Sequence, residues 1–384
     1  MQFDRRSLLK YSAAAGAIGL SRGLAGPFAG QAFAAREKEL NILCWEGYNS
    51  DEVLDPFRRS TGAKVSAESG TSDPDMINKL RAGEVNVWDL INLNQPWARD
   101  DMWPAGLIKP LPKERFEPYF AKMMAPFDKD YHWCYTADGE NLLGMVQRFG
   151  PFNFVVNTDK VSRATAEDEG FNLFNEASNS GKYGILTYDN WNIYHMCIGA
   201  GLDPFVKHSE ADIQAYEKVA RAWFKGARLL TDDLVAMNLA LINGEIDFYL
   251  TGGTYTASPA RLDGATNIRG ITPKKGPLAG GKGGITWVEV TSVVNNPQVS
   301  PLAYDFLEYV QEPEVSHAVA FAEGTYNPVT QMGDPAVFDL FTAEELDAIQ
   351  WDSLEEEVSN TVDYQINPDY DVMNKIYNAA KREA

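Results

Sequence analysis

Apolar and polar positions along the chain alternate between the two periods of regular structure. Glu39-Leu40-Asn41-Ile42-Leu43-Cys44-Trp45 has the apolar density of a buried strand. Behind it Ser50 is placed to cap a helix whose first turn carries Asp51 and Glu52 and which Gly62 stops. Lys64 to Glu68 reads as the next strand. Asp73-Pro74-Asp75 then opens a second helix with a cap and an early proline; its apolar face is Met76, Ile77 and Leu80, and Gly83 ends it. Val87 to Leu93 is a third strand. The order β-α-β-α-β implies an α/β sheet, parallel-rich and covered by helices on both faces.

A second unit of the same kind starts near Asn153. Phe154-Val155-Val156 and Tyr183 to Thr187 read as strands, and Ile213, Tyr216, Val219, Ala220, Trp223 and Ala227 recur at helical spacing. Ile246 to Leu250 and Ile285 to Val294 add strands, the latter long enough to run between two lobes. Residues 301–311, 342–356 and 371–380 carry apolar helical faces. With no repeat and no low-complexity linker, the two lobes are expected to be joined by crossing strands, a geometry that permits hinge closure over a ligand.

Composition narrows the class. Of 384 residues, 45% are hydrophobic and 12% aromatic, enough for a large core; 34 Lys plus Arg against 54 Asp plus Glu give a net charge of −20, which argues against a nucleic-acid partner. Three cysteines cannot form a disulfide framework. At the amino terminus, Arg5-Arg6-Ser7-Leu8-Leu9-Lys10 followed by the short apolar run Tyr11 to Leu20 reads as a twin-arginine signal, with a small-x-small cleavage site at Ala32-Phe33-Ala34. Residues 1–34 are therefore expected to be a removable signal recognised by the twin-arginine translocase, and the remainder an exported chain, soluble in the periplasm.

In open α/β sheets ligands sit beyond the carboxyl ends of strands. That rule selects Trp45, Glu46, Gly47 and Tyr48 after the first strand, Asn94, Gln95, Pro96 and Trp97 after the third, and Tyr188, Asp189, Asn190, Trp191 and Asn192 after the Tyr183–Thr187 strand, with Trp287 and Glu289 in the crossing strand. Any one of these rings reads equally as a core-rim residue with its polar tip in water. Their recurrence beside carboxylates points instead to an ammonium, which aromatic faces attract and a carboxylate neutralises.

The run Leu40 to Tyr48, then Phe57 and Thr61-Gly62-Ala63-Lys64-Val65, resembles the start of the periplasmic spermidine/putrescine-binding proteins of ABC importers, in which a Trp-x-x-Tyr segment closes the first strand. Val87-Trp88-Asp89-Leu90, Asn243-Gly244-Glu245-Ile246, Pro273-Lys274-Lys275-Gly276 with Gly284-Ile285-Thr286-Trp287-Val288-Glu289, and Glu312-Pro313-Glu314-Val315 are similar to later elements of that family in the same order. The resemblance implies a two-lobed periplasmic-binding-protein fold of type II. One lobe would comprise residues 36–150 plus 289–330, the other 151–288 plus 331–384. It implies a receptor that delivers a polyamine or related amine to an inner-membrane ABC permease, with no cofactor, no metal and no catalysis. Carried over residue by residue, the aromatic clamp falls on Trp45, Tyr48, Trp287 and Tyr326, the amine-binding carboxylates on Asp189 and Glu289, and polar contacts on Asn94 and Gln365. Two positions depart from the family: Gly252 stands where an indole is usual, and Asn192 where a second carboxylate is usual. Fewer anchors disfavour spermidine, and putrescine, a quaternary amine or an ω-amino acid such as γ-aminobutyrate fits the altered site. If Gly252 leaves space, a ligand substituent would occupy it.

Other motifs carry less. Gly276-x-x-x-x-Gly281-Lys282 mimics a phosphate loop, but Gly283 stands where a hydroxyl would hold magnesium, so it reads as a surface glycine loop. His195 and Cys197, two apart on a helix, do not face each other, and His132, His208 and His317 have no ligand spacing. Cys44 sits in a buried strand, where a thiol is inert packing. An exported enzyme of unknown type is the second class of reading, with no nucleophile motif to support it.

Overall fold

A computed structural model describes residues 36–70, 72–321 and 324–384; the signal expected over residues 1–34 lies outside them. The strands are β1 (Glu39–Cys44), β2 (Lys64–Ser69), β3 (Leu90–Asn94), β4 (Ile108–Lys109), β5 (Met145–Asn157), β6 (Tyr183–Leu186), β7 (Leu229–Thr231), β8 (Phe248–Gly253), β9 (Ile268–Ile271), β10 (Gly284–Val294) and β11 (Thr361–Asp363). They run in the order β2-β1-β3-β10-β5-β8-β6-β7, with β4 and β11 also on β10 and β9 on β5.

The expected β-α-β-α-β start is present. β1 pairs parallel with β2, Glu39 opposite Lys64 through Cys44 opposite Ser69, and with β3. The Asp51–Thr61 helix ends at Gly62, whose φ of 66° is the left-handed stop that only glycine takes without strain. The second helix is capped one residue earlier than its sequence suggests: the Ser72 hydroxyl accepts from the Asp75 N–H, which leaves Asp73 free for another role. Ser50, at the start of the Asp51–Thr61 helix, makes no side-chain cap. The sheet as a whole is mixed, because β10 runs antiparallel to both β3 and β5.

β5 and β10 are buried along their whole lengths and run from one core into another. Phe149 and Val288 belong to a first core that also holds Leu40, Leu43, Leu93 and Phe306; Phe152 and Trp287, a few residues away on the same strands, belong to a second that holds Phe154, Tyr216, Trp223 and Phe248. Met332, Val337, Phe341, Ile349 and Leu354 pack in the first core, and Tyr364, Met373 and Tyr377 return the chain to the second. The amphipathic Glu210–Gly226 helix, with Tyr216, Ala220, Trp223 and Phe224 inward, lies against the carboxyl-terminal Tyr370–Glu383 helix. No helix among the described residues is long and apolar enough to cross a membrane.

Candidate functional site

A cleft of about 770 Å³ lies between the two cores, within the range of small-molecule sites. As the strand-end rule requires, the ends of β1, β2, β3, β6, β7 and β8 and the segments after them supply most of its wall. From the first side come Trp45 and Glu46, then Ser69, Gly70 and Asn94; from the second come Tyr188, Asp189 and Trp191, Asp232 and Tyr255. Arg148, Phe152, Trp287 and Glu289 enter from the two crossing strands, and Tyr370, Asn374 and Asn378 from one face of the last helix.

Of the residues expected in the site, Trp45, Asn94, Asp189, Trp287 and Glu289 line this cleft; Tyr48, Tyr326 and Gln365 do not. The chain turns at Gly47, where φ is 102°, so Tyr48 points back into the first core at 2% exposure, with the Arg148 guanidinium 4.8 Å from its ring centroid. Tyr326 packs its ring on Phe321, centroids 4.6 Å apart, and its backbone N–H and C=O both meet the Ser258 hydroxyl. Gln365 is half-buried just past β11.

The two expected amine anchors are each already on a cation. Arg148 Nε donates to Glu289 Oε2 at 3.0 Å and Nη2 to Oε1 at 2.8 Å, a bidentate pair with both side chains under 5% exposed. The register of β10 on β5 shifts between Val288 and Val290; an irregularity of this kind re-aims a side chain, and it sits at Glu289. Burial pushes the Glu289 carboxyl above its ordinary value, and the guanidinium opposes that. Asp189, 44% exposed, accepts from the Tyr377 hydroxyl at 2.8 Å and from Lys381 Nζ at 2.9 Å.

Asp73 holds two lining residues in place. It is fully buried and accepts from the Asn94 backbone N–H at 3.0 Å, from Asn94 Nδ2 at 2.8 Å and from Trp45 Nε1 at 3.2 Å. Burial pushes its carboxyl up to about 6, against the pull of those hydrogen bonds.

The second side of the cleft is a packed group of rings. Phe152 lies 5.0 Å from Trp191, 6.2 Å from Tyr255 and 6.3 Å from Tyr188, centroid to centroid, and Tyr255 is 6.5 Å from Trp287. The Tyr255 hydroxyl donates to the Glu46 carboxylate from across the cleft. Gly252 does not open the space expected of it: a Cβ there would lie 2.5 Å from Thr256 Oγ1 and 2.7 Å from both Tyr249 and Val155. Asn192 is fully buried, donating to the Leu186 carbonyl and the Tyr377 hydroxyl, and does not line the cleft. His195 is likewise core, its ring nitrogens 2.8 Å from Thr251 Oγ1 and 2.9 Å from the Phe152 carbonyl, and burial lowers its pKa to about 3.

Arg148, Phe152, Asp232, Tyr255 and the Tyr370, Asn374, Asn378 face were not among the expected site residues. An arginine inside the apolar run Met145 to Phe149 is the one local signal that marked any of them.

No protein-family model matches the chain, and no curated protein matches it. Solved structures do. A putative spermidine/putrescine ABC transporter protein of Listeria monocytogenes is 15% identical with a TM-score of 0.67, 90% of this chain and 100% of that one being covered. The TpPotD lipoprotein of Treponema pallidum is 13% identical at a TM-score of 0.69, covering 90% and 99%. The MotA binding protein of Agrobacterium tumefaciens, solved with glucopine, is 13% identical at 0.61, covering 89% and 99%. The chain therefore has the two-lobed fold of the substrate-binding proteins of ABC importers, along nearly its whole described length.

Proposed function

We propose that a chain with this fold and this cleft is a solute receptor of an ABC importer, which closes on an amine-bearing solute and presents it to an inner-membrane permease. The observation that carries the reading is the charge and aromatic content of the cleft wall: Glu46, Asp75, Asp189, Asp232 and Glu289 face a single cation, Arg148, among rings contributed from both sides. Such a wall favours a positive guest. Fold neighbours are named for spermidine and putrescine, and others were solved with glucopine or agropinic acid, so the cleft's own chemistry has to select the guest.

Two lobes joined by β5 and β10 can hinge, and a solute touching both walls binds the closed state preferentially and so populates it. A desolvated cation-π contact contributes up to about 2 kcal/mol and a charged hydrogen bond about 1.5–3 kcal/mol. A few of these reach the roughly 8 kcal/mol of micromolar binding after ordering costs. Export by the twin-arginine signal would place the receptor in the periplasm.

A thermal-shift panel of putrescine, spermidine, γ-aminobutyrate and glycine betaine, with the solute recovered and chromatographed afterwards, tests this. A receptor is stabilised by at least one amine and returns it unchanged. No shift with any amine removes the amine reading, and conversion of the solute replaces the receptor with an enzyme.

A further inference from the structure

A guanidinium has five N–H donors in a fixed plane. In Arg148, Nε and Nη2 hold Glu289, and Nη2 also donates to the Glu46 carbonyl at 2.7 Å. The Nη1 group is buried and has no hydrogen-bond partner among the described residues. The side chain is 2% exposed, yet it forms part of the cleft wall. Donors left unmade on a buried cation are costly and call for an acceptor that the protein itself does not supply.

The acidic side of the cleft has the opposite deficit. Glu289 is committed to Arg148 and Asp189 to Lys381. Glu46, Asp75 and Asp232 form no ion pair among the described residues, but Asp75 and Asp232 are exposed to water, whereas Glu46 is half-buried and its carboxylate meets a hydroxyl, that of Tyr255. The two unmet demands are neighbours, because the guanidinium already touches the Glu46 backbone. Both residues line the cleft, so a small solute seated between them, with a slight opening at the guanidinium, would reach both.

Resting on the amine reading above, we infer that the solute carries a carboxylate as well as an ammonium, its carboxylate meeting Arg148 and its ammonium meeting Glu46 between the Tyr188 and Tyr255 rings. A diamine satisfies Glu46 and leaves Arg148 unmet; its second ammonium would also face a cation. An ω-amino acid of the same length satisfies both. Arg148 is then the residue that separates amino acids from polyamines, and the Arg148–Glu289 pair fixes its plane for that task.

Calorimetric titration of the intact chain with matched pairs tests the inference: putrescine against 4-aminobutyrate, cadaverine against 5-aminovalerate, and choline against glycine betaine. Within each pair the ammonium is kept and the carboxylate varies. We expect the tightest binder to be a carboxylate-bearing member, at least tenfold tighter than its partner. An amine-only member binding as tightly or more so overturns the inference and leaves the amine reading intact. Failure of all six and of spermidine overturns both. In Arg148→Lys, which keeps the charge and loses the fork, the amino-acid member should weaken at least tenfold while its amine partner stays within threefold; equal losses would mean that Arg148 only supports the fold. The pair comparison on the unaltered chain stands even if that variant does not fold.

Discussion

Glu289 and Asp189 line the same cleft, and each carboxylate sits on a cation, but they do so in different media. Glu289 is held bidentately by Arg148 with water excluded, at the crossing of the two strands that join the cores. Asp189 meets Lys381 and Tyr377 at the rim, with 44% of its side chain exposed. Removing one partner of a buried pair strands the other charge, whereas an exposed pair is screened and replaced by water. Two carboxylates expected to play the same part are thus set differently, one structural and the other nearly dispensable for stability. Neither is the obvious free countercharge for a solute; the half-buried Glu46, whose carboxylate meets a hydroxyl and no cation among the described residues, is.

The largest expected effect follows from the buried pair. Glu289→Gln should lower unfolding free energy by about 3–5 kcal/mol, because Arg148 keeps its charge without its partner. Urea denaturation measures this, and a loss under about 1 kcal/mol would erase the distinction between the two carboxylates.

Asp73 sharpens the comparison as a buried carboxylate behind the cleft wall with hydrogen bonds but no ion pair among the described residues. Its folded pKa of about 6 lies above the ordinary 3.8, so the folded chain holds a proton that the unfolded chain has released. The stability contributed by this group is present below about pH 4 and is lost as pH rises through about 6. The slope amounts to about 3 kcal/mol over that window. Asp73→Asn should remove that slope, so denaturation at pH 4 and pH 7 should give a smaller difference in the variant than in the parent. An unchanged difference would count against a buried, charge-penalised Asp73. The smallest effect is expected for Asp189→Asn, no more than about 1 kcal/mol in the same assay; a loss of several would mean that the rim pair behaves as a buried one.

Much of this is legible in the sequence. The strands after residues 39, 64 and 87, the Gly62 stop and the long crossing strand β10 follow from period and punctuation, since apolar alternation and glycine act locally. The strand-end rule reached Trp45, Asn94, Asp189, Trp287 and Glu289, and also Glu46, Tyr188 and Trp191, because strand ends are positions in a one-dimensional pattern. β5 was foreseen only from Phe154 onward. Gly150 and Pro151, residues that weaken a strand pattern, sit where the strand passes between cores, and the half before them, with Arg148, has no clear strand signature. Tyr48 was misplaced because a single turn at Gly47 reverses a side chain without altering the motif around it. Tyr255 and the Tyr370, Asn374, Asn378 face reach the cleft through packing between elements far apart in sequence, which no local pattern records.

The most direct test of the central claim, that the half-buried, unpaired carboxylate of Glu46 seats the ammonium, is calorimetric titration of Glu46→Gln and Asp189→Asn with 4-aminobutyrate beside the unaltered chain. The account expects Glu46→Gln to weaken binding by about tenfold or more, the value of one charged contact, with Asp189→Asn within about threefold. Undiminished affinity in Glu46→Gln together with a tenfold loss in Asp189→Asn would contradict it.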